Sequence, residues 1–198
     1  MSVNPMYHQT NQRMEEELSW IRRAQKDPES FGPLYKKYHE QIFRYVYQRM
    51  DDEETAFDVT SQVFLKALNN LHRYEYRGVP FSSWLYRIAK SELYQSFRDK
   101  KAQRTVNIDS FQLFELIEEF VDDEKDENRK KLFKSLKLMK EKDMQLIEMR
   151  FFEKRSFREI GEILEITENN AKVKTFRAIE KLKQLFKTTK LSHGDQES

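Results

Sequence analysis

The stretch SFREIGEILEITENNAKVKTFRAIEKLKQL, Ser156 to Leu185, carries two helical patterns separated by a three-residue turn. Ser156 with Glu159 three residues on is a capping-box signature, in which hydroxyl and carboxylate each satisfy the other's backbone amide. Ile160, Ile163 and Leu164 predict a buried stripe on the first helix, and Gly161 permits close helix approach. Glu165-Ile166-Thr167 forms the turn, with Thr167 suited to N-cap the second helix. In that second helix Ala171, Thr175, Ala178, Ile179, Leu182, Leu185 and Phe186 recur at helical spacing on one side. The opposite side carries Asn169, Asn170, Val173, Phe176 and Arg177, flanked by Lys172 and Lys174. This is a helix-turn-helix pattern with one side for a core and one for a DNA groove. Asn and Arg can pair with base edges, while Lys suits phosphates. Helix pairs with tight turns also occur in bundles that never touch nucleic acid. Here, however, only Glu168 and Glu180 oppose the cations, whereas a merely solvated face tends to alternate Glu with Lys.

Charge is distributed in blocks that the net value of +2 conceals. Residues 1–108 hold 17 Lys and Arg against 14 Asp and Glu, residues 109–127 hold one against nine, and residues 128–191 hold 18 against nine. A mildly basic block, an acidic connector and a strongly basic block thus follow one another, and the last fits a nucleic-acid partner. Four glycines and four prolines in 198 residues are too few for a loop-rich β architecture, so an all-α chain is expected. No apolar run reaches the length of a membrane span, and MSVNPMYHQTNQRM lacks the apolar core of a secretory signal. The absence of cysteine removes disulfides, thiolate metal sites and cysteine nucleophiles. His8, His39, His72 and His193 have no metal-ligand spacing, and neither a phosphate loop nor a hydrolytic constellation is present. These features predict a cytoplasmic, non-enzymatic protein without metal or cofactor.

Helical periodicity divides the chain into two small domains joined by an acidic linker, the second containing the helix-turn-helix. Residues 1–12 are expected to be disordered, 13–100 to form the first domain, 101–127 the linker and 128–190 the second domain. Within the first, Phe31 to Met50 predicts one long helix, and Asp51 with Glu54 a capped helix running to Leu71. The following loop spans His72 to Pro80, and a helix runs from about Ser82 to Lys100. Leu85, Ala89, Leu93 and Phe97, with Trp84 and Ile88, supply the core side of that helix. Its other side bears Arg87, Lys90, Ser91, Tyr94, Gln95 and Arg98, a mixture able to contact bases and phosphates. A plain solvated face would carry the same residues. The second domain is expected to hold helices near 128–139, 142–152, 156–164 and 168–187.

In order and spacing these segments resemble the extracytoplasmic-function (ECF) group of bacterial RNA polymerase sigma factors. DPESFGPLYKKYHEQIFRYVYQRM is similar to the start of sigma region 2, and AFDVTSQVFLKALNNL to the segment that docks on the polymerase β′ subunit. FSSWLYRIAKSELYQSFRDKK resembles the segment that recognises and melts the −10 element. The stretch from Leu132 to Leu185 resembles region 4, which reads the −35 element and touches the β subunit. The chain departs from the family at the docking motif, where a usual Gln-Glu pair is Ser61-Gln62. It also has Ser91 for a customary Asn, Gln95 for a common Asp, and Asn169-Asn170 for a customary Gly-Thr.

The resemblance implies a promoter-selecting subunit with core RNA polymerase and promoter DNA as partners and an anti-sigma factor as a further one. It implies −35 contacts from Asn169, Asn170, Lys172, Val173, Phe176, Arg177 and Arg158. Arg150, Lys154 and Arg155 are expected beside them as phosphate holders. For the −10 element it implies Arg87, Lys90, Ser91, Tyr94, Gln95 and Arg98, and for docking on core polymerase Asp58, Ser61 and Gln62. The acidic connector would either follow the polymerase's cationic RNA channel or serve as a solvated spacer. Two rivals remain on the residues alone: a regulator that binds DNA unaided, and a recombinase-like enzyme with a basic tail.

Overall fold

A computed structural model describes residues 11–99 and 126–189. The regular elements among them are all helical. They are α1 (Asn11–Lys26), α2 (Gly32–Tyr47), α3 (Glu53–Asn70), α4 (Phe81–Arg98), α5 (Asp126–Lys137), α6 (Glu141–Ile147), α7 (Phe157–Leu164) and α8 (Glu168–Thr188). Two compact units result, one containing α1–α4 together with residues 161–166 and the other containing α5, α6, the first turn of α7, and α8. The all-α, two-domain expectation therefore holds. Of the expected disordered start, residues 1–10 lie outside the described residues, while α1 already begins at Asn11. The acidic linker, apart from its last two residues, likewise lies outside them.

In the first unit α3 packs against both α2 and α4. Leu34, Tyr38, Ile42, Tyr45 and Val46 enter the core from α2, and Ala56, Val59, Val63 and Ala67 from α3. The single helix expected from Phe31 to Met50 is α2, which starts one residue later and ends three residues earlier. A 3-10 turn at Pro28–Phe31 precedes α2, because the Asp27 carboxylate accepts from Glu29 N at 3.2 Å and from Ser30 Oγ at 2.9 Å. Proline at the first turn then suits a fresh helix start. The cap of α3 is Asp52, not the expected Asp51. Its Oδ1 accepts from Thr55 N at 2.7 Å, and this bond above all holds the Asp52 carboxyl below the ordinary carboxylate value.

The core side of α4 is turned slightly from expectation. Leu85, Ala89 and Leu93 are buried as expected, but Phe81 and Tyr86 fill the interior while Trp84, Ile88 and Phe97 lie at its margin. Tyr86 meets Tyr45 edge-on with ring centroids 4.6 Å apart.

In the second unit α5 and α6 both pack on α8. Here the expected helix over 142–152 changes register. α6 ends at Ile147 and is followed by a π turn, Glu148–Phe152, in which Glu153 N bonds Glu148 O at 2.9 Å. Such turns carry five-residue hydrogen bonds and widen the helix locally.

Candidate nucleic-acid interface

The capping box at the start of α7 forms as the sequence predicts. Glu159 N donates to Ser156 Oγ at 3.2 Å, and Ser156 N donates to Glu159 Oε2 at 2.9 Å. The other oxygen of Glu159 accepts from Arg155 Nη1 at 3.0 Å, and both side chains are nearly sealed from solvent, at 2% and 6% exposure. Arg155 is therefore an interior residue and not a phosphate holder, which corrects the expectation. Arg150 is engaged as well. Its Nη1 donates to Arg155 O at 3.0 Å and its guanidinium lies 4.8 Å over the ring of Phe157. Arg158 is exposed on α7, and Lys154 sits in the turn before it, where burial lowers its ammonium pKa.

The turn between α7 and α8 closes without glycine. Glu165 takes the left-handed conformation at φ 57°, and Ile166 N bonds back to Gly161 O at 2.9 Å, a Schellman closure. Thr167 then caps α8, accepting from Asn170 N at 3.2 Å. Chain geometry at this point fixes which side of α8 faces outward. Ala171, Thr175, Ala178, Ile179 and Leu182 are buried, while Asn169, Asn170, Lys172, Val173, Phe176 and Arg177 are all exposed. Leu185 and Phe186, expected in the core, lie at its edge. Phe176, half exposed, is braced by Phe157 at 6.1 Å between ring centroids. A rigid aromatic flanked by amides and cations is thus presented on a helix long enough to lie in a groove.

On α4, Ser91, Tyr94, Gln95 and Arg98 are exposed at successive turns of one face, with Arg87 and Lys90 half-buried behind them. Gln95 Nε2 donates to Asp99 Oδ2 at 2.9 Å, and Arg98 Nη2 donates to Gln95 Oε1 at 2.5 Å. These bonds orient the amide and the guanidinium together, so Gln95 and Arg98 act as one polar unit. Asp58, Ser61 and Gln62 are exposed on α3. Beside them stand Phe57 and Leu65, 45% and 51% exposed, which sequence reasoning overlooked. The Phe57 ring stacks on Phe43 of α2 at 4.3 Å, and Phe43 in turn lies 5.7 Å from Tyr47 and 6.4 Å from His39. An apolar residue four positions from Ser61 on either side was the available signal.

Comparison with known proteins matches this layout. The family described as Sigma-70 region 2 covers residues 34–103, and Sigma-70, region 4 covers residues 135–184. The RNA polymerase sigma factor YlaC of Bacillus subtilis is 30% identical over 147 residues, spanning 70% of this chain and 82% of YlaC. This chain belongs to the ECF RNA polymerase sigma factors. The ECF RNA polymerase sigma factor BldN of Streptomyces coelicolor is 26% identical over 171 residues; the match spans 85% of this chain and 65% of BldN's length. In fold the sigma factor resembles CnrH, solved in complex with the cytosolic domain of CnrY, at a TM-score of 0.60 and 16% identity over 88% of this chain and 99% of that one. The family's role is promoter recognition in transcription initiation. No helix among the described residues is long and apolar enough to cross a membrane.

Proposed function

We propose that this chain joins core RNA polymerase in the cytoplasm and directs it to promoters bearing −35 and −10 elements, contributing contacts and no bond chemistry of its own. The observation that carries the reading is the outward face of α8. Asn169, Asn170, Lys172, Val173, Phe176 and Arg177 are exposed on a helix whose opposite side is buried, behind a capped helix-turn-helix. In this reading α8 enters the −35 major groove, with Arg177 and Lys172 reaching base edges or phosphates and Arg158 a phosphate at the start of α7. The Ser91–Arg98 face of α4 and the loop before it take up unpaired bases of the −10 element, stacking on Tyr94. Asp58, Ser61 and Gln62, with Phe57 and Leu65 beside them, supply the docking face for core polymerase. An anti-sigma protein is the natural regulator of such a surface.

Two DNA-reading units on a linker gain affinity only when something sets their separation, because the second contact then becomes effectively intramolecular. The nine acids of residues 109–127 further disfavour a duplex lying along the linker. The test is transcription in vitro with core polymerase on a promoter library, followed by sequencing of transcript starts. Starts that share upstream elements and appear only when this protein is added support the proposal. Tight sequence-specific binding by the free protein, indifferent to polymerase, would instead identify a regulator acting alone.

A further inference from the structure

Glu17 is the exception on the inner face of α1. It falls on the same stripe as Ile21 and Ala24, positions normally given to apolar residues, and is itself only 3% exposed. Its Oε1 accepts from the Tyr38 hydroxyl and, at 3.3 Å, from Lys37 Nζ, while Oε2 accepts from Phe81 N at 3.4 Å. Phe81 opens α4, whose N-cap position is Pro80 and has no capping side chain of its own. The carboxylate of α1 therefore stands at the positive end of α4 from 64 residues away. Two turns further along α1, Gln25 spends both hydrogens of its amide on the loop that precedes α4, bonding Leu71 O at 3.0 Å and Tyr74 O at 2.9 Å. Between these two anchors the loop presents His72, Arg73, Glu75, Tyr76 and Arg77 to solvent. Tyr74 itself packs against Phe81 and Trp84, with ring centroids 5.0 and 5.1 Å away.

A buried carboxylate is costly to desolvate, and an apolar residue there would serve packing as well or better. What Glu17 and Gln25 provide that an apolar pair does not is a defined path for the backbone between Leu71 and Phe81. We propose that Glu17 and Gln25 are positioning residues, which hold the 71–80 loop and the first turn of α4 in the pose that takes up an unpaired promoter base. The inference rests on the reading of the loop and α4 as the −10 site. Preorganising the loop lets stacking contacts offset base unpairing without first ordering the chain.

Gln25→Met keeps length and removes both donors; Glu17→Gln keeps shape and removes the charge. With core polymerase on a duplex promoter, each variant should lower permanganate reactivity of the −10 thymines roughly fivefold or more, the loss expected when buried hydrogen bonds go unmade. Binding to core polymerase and protection of the −35 element should match wild type. On a template already unpaired across the −10 element the loss should be smaller than on the duplex, since no base pair has to be broken. Variants that open the duplex as wild type does would overturn the proposal, and so would variants that also lose core binding or −35 protection, which marks a general loss of fold. If the wild-type protein yields no promoter-specific opening at all, the sigma-factor reading fails instead.

Discussion

Arg155 and Glu159 form an ion pair 3.0 Å long in which the same carboxylate group also closes the cap of α7. One acid thereby secures a buried guanidinium and the first backbone amide of the helix-turn-helix. Removing one member leaves the other charged and enclosed without its partner at 3.0 Å. Arg155→Ala and Glu159→Ala should each destabilise the protein by about 3–5 kcal/mol. The double replacement Arg155→Met with Glu159→Leu should cost less than either single change. Urea denaturation of the three variants checks this; a double variant that loses more than either single one would sink the account.

Glu165 holds a left-handed conformation that side chains other than glycine adopt at a cost. Glu165→Gly should therefore raise stability by about 1 kcal/mol, less the extra freedom gained by the unfolded chain. A thermal midpoint no higher than wild type would argue against strain at this turn.

Base contact and phosphate contact are separable at α8. If Arg177 and Lys172 reach base edges, alanine at either position should cost about 1–3 kcal/mol on a preferred −35 sequence and little on a scrambled one. If they touch phosphates, both sequences should lose equally and the salt dependence should become shallower. Competition binding by the polymerase complex over a range of salt concentrations distinguishes the two outcomes.

The exposed Phe57 and Leu65 flank the polar group Asp58, Ser61 and Gln62 on α3. Phe57→Ser with Leu65→Ser should weaken binding to core polymerase more than Asp58→Ala with Gln62→Ala, because fully covered apolar anchors dominate most interfaces. Helical content should change little in either pair, since none of the four side chains is interior. Titration of labelled core polymerase gives the comparison.

Acid should loosen the start of α3. The Asp52 carboxyl is held below its ordinary value of 3.8, chiefly by the backbone amide of Thr55. A depressed folded-state value means that its stabilising effect is complete above the unfolded value and is lost as pH falls through the folded one. The stability difference between wild type and Asp52→Ala should be constant near neutrality and shrink once pH drops below the ordinary carboxylate range. A difference that does not vary with pH would show that the cap contributes no charge-dependent stability.

Where structure depends on neighbours within one turn, the sequence was a sufficient guide. The Ser156–Glu159 box, the Thr167 cap and the inward residues of α8 from Ala171 to Leu182 are all local matters of spacing. What escaped reading depends on distant chain. Arg155 looks like a solvated loop cation until Glu159 and the surrounding helices enclose it. Glu17 looks like one more acid in a run of three until Phe81 arrives. Phe57 reads as core by type, yet the packing of α2 against α3 leaves its ring half outside, stacked on Phe43. A five-residue periodicity over Glu148–Phe152 is too short to be told from an α-turn by pattern.

That π turn sets the phase at which its own helix ends. An α-helix advances about 100° per residue, so a turn that absorbs one additional residue sends the chain onward rotated by roughly that angle. Beyond it residues 153–156 leave the helix, with Lys154 left-handed at φ 52°, so the added residue decides how the chain departs from α6. Deleting a single residue there would let the helix close in ordinary register and would remove the bond from Glu153 N to Glu148 O.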